Sequence, residues 1–236
     1  MSSPGLGTPN NEKHTTPLRA AGLMLEACLL LTTGCHPGSL RSSEIVADSI
    51  SGFSGKQGAN GWSYGYWDRT ADTDKSYSQT TDFQLLRSFG SDPINGLSRR
   101  DDFTTGDLWI LQDGRYYTAL WAEGGSANGT TNLAPQAKVE HWAVRRWVST
   151  VKGPVIITGH AARILDWGDA ESGQARIVVD GATVFSTATD RGGTNYSVNA
   201  TVHVGSLVDF LITAGPAETG GAFGPVKFTA TVQTVP

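Results

Sequence analysis

Apolar and polar positions alternate most clearly in the C-terminal half of the chain. Val226, Phe228, Ala230 and Val232 alternate with Lys227, Thr229, Thr231 and Gln233, the period of a strand with one buried and one wet face. Val198, Ala200, Val202 and Val204 repeat the pattern, and Gly205-Ser206 leads into the apolar run 207–212, which reads as a hairpin. Segments 176–179 and 183–185 flank Asp180-Gly181, a pair suited to the positive φ of a two-residue turn. Segments 139–148 and 154–165 read as two longer strands. Residues 62–67 alternate as well, with Trp62, Tyr64 and Tyr66 on one face and Ser63, Gly65 and Trp67 on the other. Residues 68–108 are rich in Asp, Thr and Ser, with 83–86 the one modest strand candidate. They read either as a loop region over one end of the fold or as a set of small strands. Many short strands joined by turns predict an all-β sandwich or barrel rather than an α/β sheet.

The N-terminus follows a different pattern. Lys13, His14 and Arg19 precede the short apolar stretch 20–31, which runs into Thr32-Thr33-Gly34-Cys35. A basic start, an apolar stretch and a small-residue site make an export signal. The stretch is shorter than the roughly 18 apolar residues of a spanning helix. Residues 1–35 are therefore read as a signal peptide with a lipobox-like site, Cys35 as its lipidated residue, 36–43 as a linker and 44–236 as the β-sandwich domain. In the lipobox comparison Thr32 stands where Leu is usual, and Glu26 interrupts the apolar core. Both cysteines, Cys28 and Cys35, lie in this leader. After cleavage at Cys35 the domain is held by burial and strand pairing alone, without a disulfide. The expected location is the cell surface or outer membrane, reached through the lipid anchor, or the secreted space.

Composition narrows the function classes. The 236 residues carry 18 basic and 22 acidic side chains, a formal net charge of −4, and no run of Lys or Arg. That excludes the electrostatic footprint of a nucleic-acid binder. Seven Trp and eight Phe supply apolar area that a disordered chain lacks.

The segments FSGKQGANGWSYGYWD (53–68), HWAVRRWVS (141–149), VDGATVF (179–185), GSLVDFLI (205–212) and KFTATVQ (227–233) resemble a secreted bacterial β-sandwich module of uncharacterised function. The same module is found in exported surface proteins that end in a PEP-type sorting tail. The resemblance covers roughly residues 45–236. It implies a jelly-roll β-sandwich of the kind used by carbohydrate-binding modules, and it carries over no catalytic residue. This chain ends at Val235-Pro236 without a hydrophobic sorting tail, so an anchor is expected at Cys35.

Site candidates come from the aromatic-rich segments. On strand 139–148, one face carries Val139, His141, Ala143, Arg145 and Trp147 and the other carries Glu140, Trp142, Val144, Arg146 and Val148. The second face is the more apolar and is expected to point inward. Arg146 would then be buried and in need of a carboxylate, with Asp166, Asp180 and Asp209 as candidates, unless a bulge at Arg145-Arg146 resets the faces. The first face would present His141, Arg145 and Trp147 together, a flat ring beside hydrogen-bonding groups, as a saccharide site requires. Trp67 and Asp68 join them if Trp62, Tyr64 and Tyr66 form core. Trp147 packed beneath a loop is the competing reading, and Trp109 and Trp121, near Tyr116 and Tyr117, admit the same two.

The loop 166–173 carries Asp166, Asp169 and Glu171, oxygen ligands for a structural Ca²⁺ or simply a solvated acidic loop. The letters Gly61-Trp62-Ser63-Tyr64-Gly65 match Gly-x-Ser-x-Gly but run into the alternating segment 62–67, not a strand-to-helix turn, so no nucleophile elbow is expected there; His-Glu-x-x-His and phosphate-loop motifs are absent. The expected function is non-catalytic binding of a glycan or polysaccharide, with Trp147, Arg145, His141, Trp67 and Asp68 as contacts. On that reading, Trp147→Ala removes binding and leaves the melting temperature nearly unchanged. A structural or adhesive surface protein is the alternative. A carbohydrate-active hydrolase or lyase would need two facing carboxylates, for which Glu140, Asp166, Asp169 and Glu171 are the candidates.

Overall fold

The computed structural model describes residues 42–90, 107–111, 115–131, 137–164, 173–215 and 225–236, all within the compact unit Leu40–Pro236. The leader with Cys35, and Asp166, Asp169 and Glu171 of the acidic loop, lie outside the described residues. The described residues form fourteen strands: β1 (Ile45–Asp48), β2 (Trp62–Asp68), β3 (Gln84–Leu85), β4 (Ser88–Gly90), β5 (Leu108–Ile110), β6 (Ala119–Trp121), β7 (Gly124–Ser126), β8 (His141–Val148), β9 (Gly153–Arg163), β10 (Gln174–Val179), β11 (Ala182–Ala188), β12 (Thr194–Val202), β13 (Leu207–Ile212) and β14 (Pro225–Thr234). The first sheet runs β12-β9-β14-β7-β6-β5-β4, with β1 also paired to β14, and the second runs β11-β10-β13-β8-β2-β3. Every pairing between these strands is antiparallel.

The sheets meet face to face. One core draws Trp62, Tyr64, Trp147, Ile177 and Phe210 from the second sheet and Trp109, Leu120, Ile157, Phe228 and Val232 from the first. This is the all-β sandwich that the strand periodicity predicts. The turn between β10 and β11 takes φ of 45° at Asp180 and 85° at Gly181, the two positive values a tight hairpin requires. Segment 198–212 departs from expectation: β12 pairs with β9 in the first sheet, whereas β13 pairs with β10 and β8 in the second. The turn is a corner between sheets rather than a hairpin. Side chains hold it, with the Ser206 hydroxyl donating to Asp180 Oδ2 at 2.6 Å and accepting from the His203 amide at 2.8 Å.

The faces of β8 are the reverse of those expected. Ala143 and Trp147 belong to the inter-sheet core, and Arg145 is as buried as they are. Trp142 and Val144 face outward, where they pack with Trp67, Val178 and Leu211 into a second apolar cluster. That cluster is covered by segment 69–83, whose Tyr77 and Phe83 pack against it. Both faces of the strand are therefore apolar, and hydrophobicity alone does not identify the inner one.

Two adjacent arginines fasten these layers. Arg145 spans the core and donates through Nη2 to the backbone carbonyls of Trp121, Ala122 (3.1 Å) and Gly124 (3.3 Å) at the β6–β7 turn of the opposite sheet. Arg146, on the outer face, pairs with buried Asp209 through Nε and Nη2, each at 2.7 Å. It also donates to the Gln79 carbonyl at 2.6 Å and lies 3.9 Å above the Phe83 ring. Asp209 was among the carboxylates the sequence offered for Arg146.

Two predictions follow from this packing. Trp147 is 1% exposed, so Trp147→Ala leaves a cavity and is expected to cost about 3–5 kcal/mol, contrary to the neutral melting temperature expected of a surface ring. Arg145→Met, which strips three carbonyls of a charged donor, is expected to cost roughly 2–4 kcal/mol; chemical denaturation of both variants measures this. The second prediction concerns alkaline pH. The Tyr77 phenol, which donates to Asp209 at 2.6 Å, is raised well above its usual value by burial and then by the Asp209 charge. An acid raised in the fold stabilises it below the unfolded value near 10 and loses that contribution as pH climbs toward the folded value. Arg145 has the opposite sign, since burial pulls it from 12.5 down to about 10. The comparison must therefore isolate one group: above pH 10, the stability of Tyr77→Phe is expected to fall less steeply than that of the wild type.

Candidate functional site

The inward face of β2 changes character along its length. Trp62 and Tyr64 are buried in the core, Tyr66 is half-buried, and the Asp68 side chain is 27% exposed. Pairing of Asp68 with His141 and of Tyr66 with Ala143 sets these groups beside the start of β8. There the space between the sheets opens into a cleft of about 950 Å³, lined by Tyr66, Asp68, Gln84, Trp109, Tyr116 and His141, among others.

His141 sits at the centre. Its ring is packed between Tyr66 and Tyr116, at centroid distances of 5.1 and 4.7 Å. Nδ1 lies 3.2 Å from the Thr118 hydroxyl, and Nε2 lies 3.5 Å from Asp68 Oδ2. Asp68 Oδ1 accepts from the Ala71 amide at 2.9 Å, so the carboxylate is aimed by the turn that follows its own strand. The Tyr66 hydroxyl donates to Gln84 Oε1 at 3.0 Å.

The β2–β3 side of the cleft is braced by Gln57, which itself lines the hollow. Gln57 donates to the carbonyls of Tyr64 (2.8 Å) and Leu86 (3.0 Å) and accepts from the Tyr64 amide at 2.8 Å. Gly65 permits β3 to approach, because a Cβ there would collide with the Gln84 carbonyl and the Phe83 ring. Two tyrosine rings, an imidazole, a carboxylate and an amide thus converge on one hollow, the mixture of flat apolar surface and oriented polar groups that a small polar ligand needs.

The expected site residues fall in three places. His141 and Asp68 meet in the cleft. Trp147 and Arg145 lie inside the sandwich and, unlike His141, do not line the cleft. Trp67, 2% exposed, stands on the outer face beneath segment 69–83 and makes an edge contact with Trp142 at 4.8 Å, while its indole donates to Asp72 at 3.1 Å. The exposed Trp face expected on β8 is absent because the strand is turned over. Tyr66, the last aromatic of the row that reads as core or ligand surface, reaches the cleft, with Trp109 and Tyr116 from the other sheet's side. Gln84, in the strand candidate 83–86, and Tyr116, beside Trp109, also line the cleft, but neither carries a sequence signal of its own that marks a site. Among the described residues no group of three or more His, Cys, Asp or Glu is placed to hold a metal ion.

No family model matches the chain, and no curated protein matches it. Among solved structures, the CBM35 from Cellvibrio japonicus Abf62 aligns with TM-score 0.31 and 11% identity, over 57% of this chain and 77% of that one. A family 35 carbohydrate-binding module from Clostridium thermocellum gives TM-score 0.29 and 13% identity over 53% and 85%. The C-terminal CBM6 of LamC from Zobellia galactanivorans gives TM-score 0.30 and 9% identity over 72% and 99%. Similarity this slight assigns neither a family nor a ligand.

Proposed function

We propose that this domain binds a saccharide non-catalytically in the cleft between its sheets. The carrying observation is the cleft itself: Tyr66 and Tyr116 offer ring faces for stacking on sugar C–H surfaces, and Asp68, His141 and Gln84 lie within the same hollow to address hydroxyls. Asp68 is the one carboxylate among the described residues lining it, which favours binding over two-carboxylate hydrolysis. The jelly-roll subclass of the sandwich belongs to this same reading. Asp68→Ala is expected to weaken binding on a glycan array about tenfold or more, given that one hydrogen bond to a charged group contributes roughly 1.5–3 kcal/mol, and Tyr66→Ala, which removes a stacking ring contributing roughly 0.5–1.5 kcal/mol, about three- to tenfold. Both residues are only partly buried, so both variants are expected to fold. Running the array with and without Ca²⁺ tests the acidic loop 166–173 as well. A blank array on folded protein would replace this reading with that of a structural or adhesive surface protein.

We further propose that the chain is exported and held at a membrane by lipid on Cys35, on the strength of the signal-like segment that precedes it. Cys35→Ala is expected to shift the protein from the membrane fraction to the soluble fraction and to abolish incorporation of labelled fatty acid. Unchanged fractionation would refute the anchor.

A further inference from the structure

A second hollow, of about 310 Å³, lies on the outer face of the second sheet under the tip of segment 69–83. Its floor is apolar, from Trp142, Val178 and Leu211, and Arg176 and Lys75 stand at its edge with the hydroxyls of Ser76 and Thr183. The nearby carboxylates have partners of their own, Asp74 beside Lys75 accepting from the Ser76 amide at 2.7 Å. Glu140 accepts from the Trp142 indole at 2.7 Å and pairs with Arg69, Asp209 is held by Arg146 and Tyr77, and Asp72 accepts from Trp67.

Arg176 has no such partner among the described residues. Its Nε and Nη2 both donate to one neutral acceptor, Gln174 Oε1, at 3.0 and 2.7 Å, and the guanidinium lies 4.9 Å over the Trp142 ring. Arg69 lies over the same indole at 5.9 Å. Two cations therefore share one aromatic ring, and only Arg69 has a counter-charge. Burial and then the Arg69 charge lower the Arg176 pKa, so its charged form is held at a cost that a bound anion would relieve.

We propose that this hollow binds the carboxylate or sulfate group of an acidic saccharide residue, with Arg176 as the principal contact, Lys75 as the second cation and Trp142 as the apolar floor. The choice of a saccharide as carrier rests on the function proposed above. A forked guanidinium matches either oxyanion, and the size of the hollow suits a single ring.

The test is titration calorimetry of the intact domain with oligogalacturonate, sulfated galactan and neutral galactan oligosaccharides of matched length. Wild type is compared with Arg176→Gln, Arg176→Lys, Lys75→Gln and Tyr66→Ala. The expected result is acidic binding about tenfold tighter than neutral binding, weakening with salt. That increment is expected to disappear in Arg176→Gln, to shrink in Lys75→Gln, to return in part in Arg176→Lys and to survive Tyr66→Ala. Comparison of the two acidic probes tells a carboxylate site from a sulfate site. Acidic binding no tighter than neutral, or an increment that survives Arg176→Gln, overturns this site and leaves the cleft reading standing. Acidic binding that depends on Arg176 without any neutral binding supports this site and overturns the cleft reading. Absence of binding to every probe by folded protein overturns both.

Discussion

A pair of adjacent arginines on β8 organises the structure. Neighbouring residues of a strand point to opposite faces, so Arg145 reaches through the core to the first sheet while Arg146 reaches outward to Asp209 and segment 69–83. A fully buried guanidinium is costly unless its donors are satisfied. Arg145 offsets part of that cost through Nη2, which donates to three carbonyls of a turn, while its Nε has no hydrogen-bond partner among the described residues. The tie is thus directional in a way that packing is not, since it requires the β6–β7 turn to lie opposite the middle of β8. The cleft depends on this register. In this offset Thr118 and Tyr116, beside β6, meet His141, and Trp109 on β5 lines the same cleft.

Arg146 does comparable work on the other side. Segment 69–83 has no regular secondary structure, yet its Gln79 side chain donates to the carbonyls of Val178 and Leu207 and accepts from the Gly181 amide. These contacts, with Tyr77 on Asp209, let a loop bury Trp67 and Trp142 as a third layer would. The covered face then ends at Arg176, and the hollow there is the margin where the loop stops and the sheet continues.

Much of the fold was legible from period and turn chemistry. Segment 207–212 is a strand over that same span, and Asp180-Gly181 has the backbone its residue types imply. The corner at 203–206 was not legible. A Gly-Ser turn between two alternating segments looks the same whether the strands pair or separate, and the choice is made by β9, β10 and β8, which compete for their edges from far along the chain. The faces of β8 failed for a related reason. Trp142 and Val144 are as apolar as an inner face because a polar-looking loop covers them, and no local pattern reports a cover that comes from 69–83. The ion pair of Arg146 with one of three named aspartates was legible, because a buried charge demands a partner wherever it points.

The site was half legible, and the half that was missed follows from a false choice. From sequence, the row Trp62, Tyr64, Tyr66 reads as either core or ligand surface. It is both in turn: one face of one strand begins in the centre of the sandwich and ends at the mouth of a cleft, so burial falls along it from Trp62 to Asp68. Parity on a strand fixes which side a residue faces, but the depth of that side is set by how far the opposing sheet extends. Here the opposing wall is built from the short β5 and from residues between it and β6, where the sequence offered no periodic signal. The residues recovered from sequence, His141 and Asp68, are polar groups at the very ends of their strands. On β2 a polar residue at the end of an apolar face marks the place where the core opens, and its register partner His141 begins the matching face of β8.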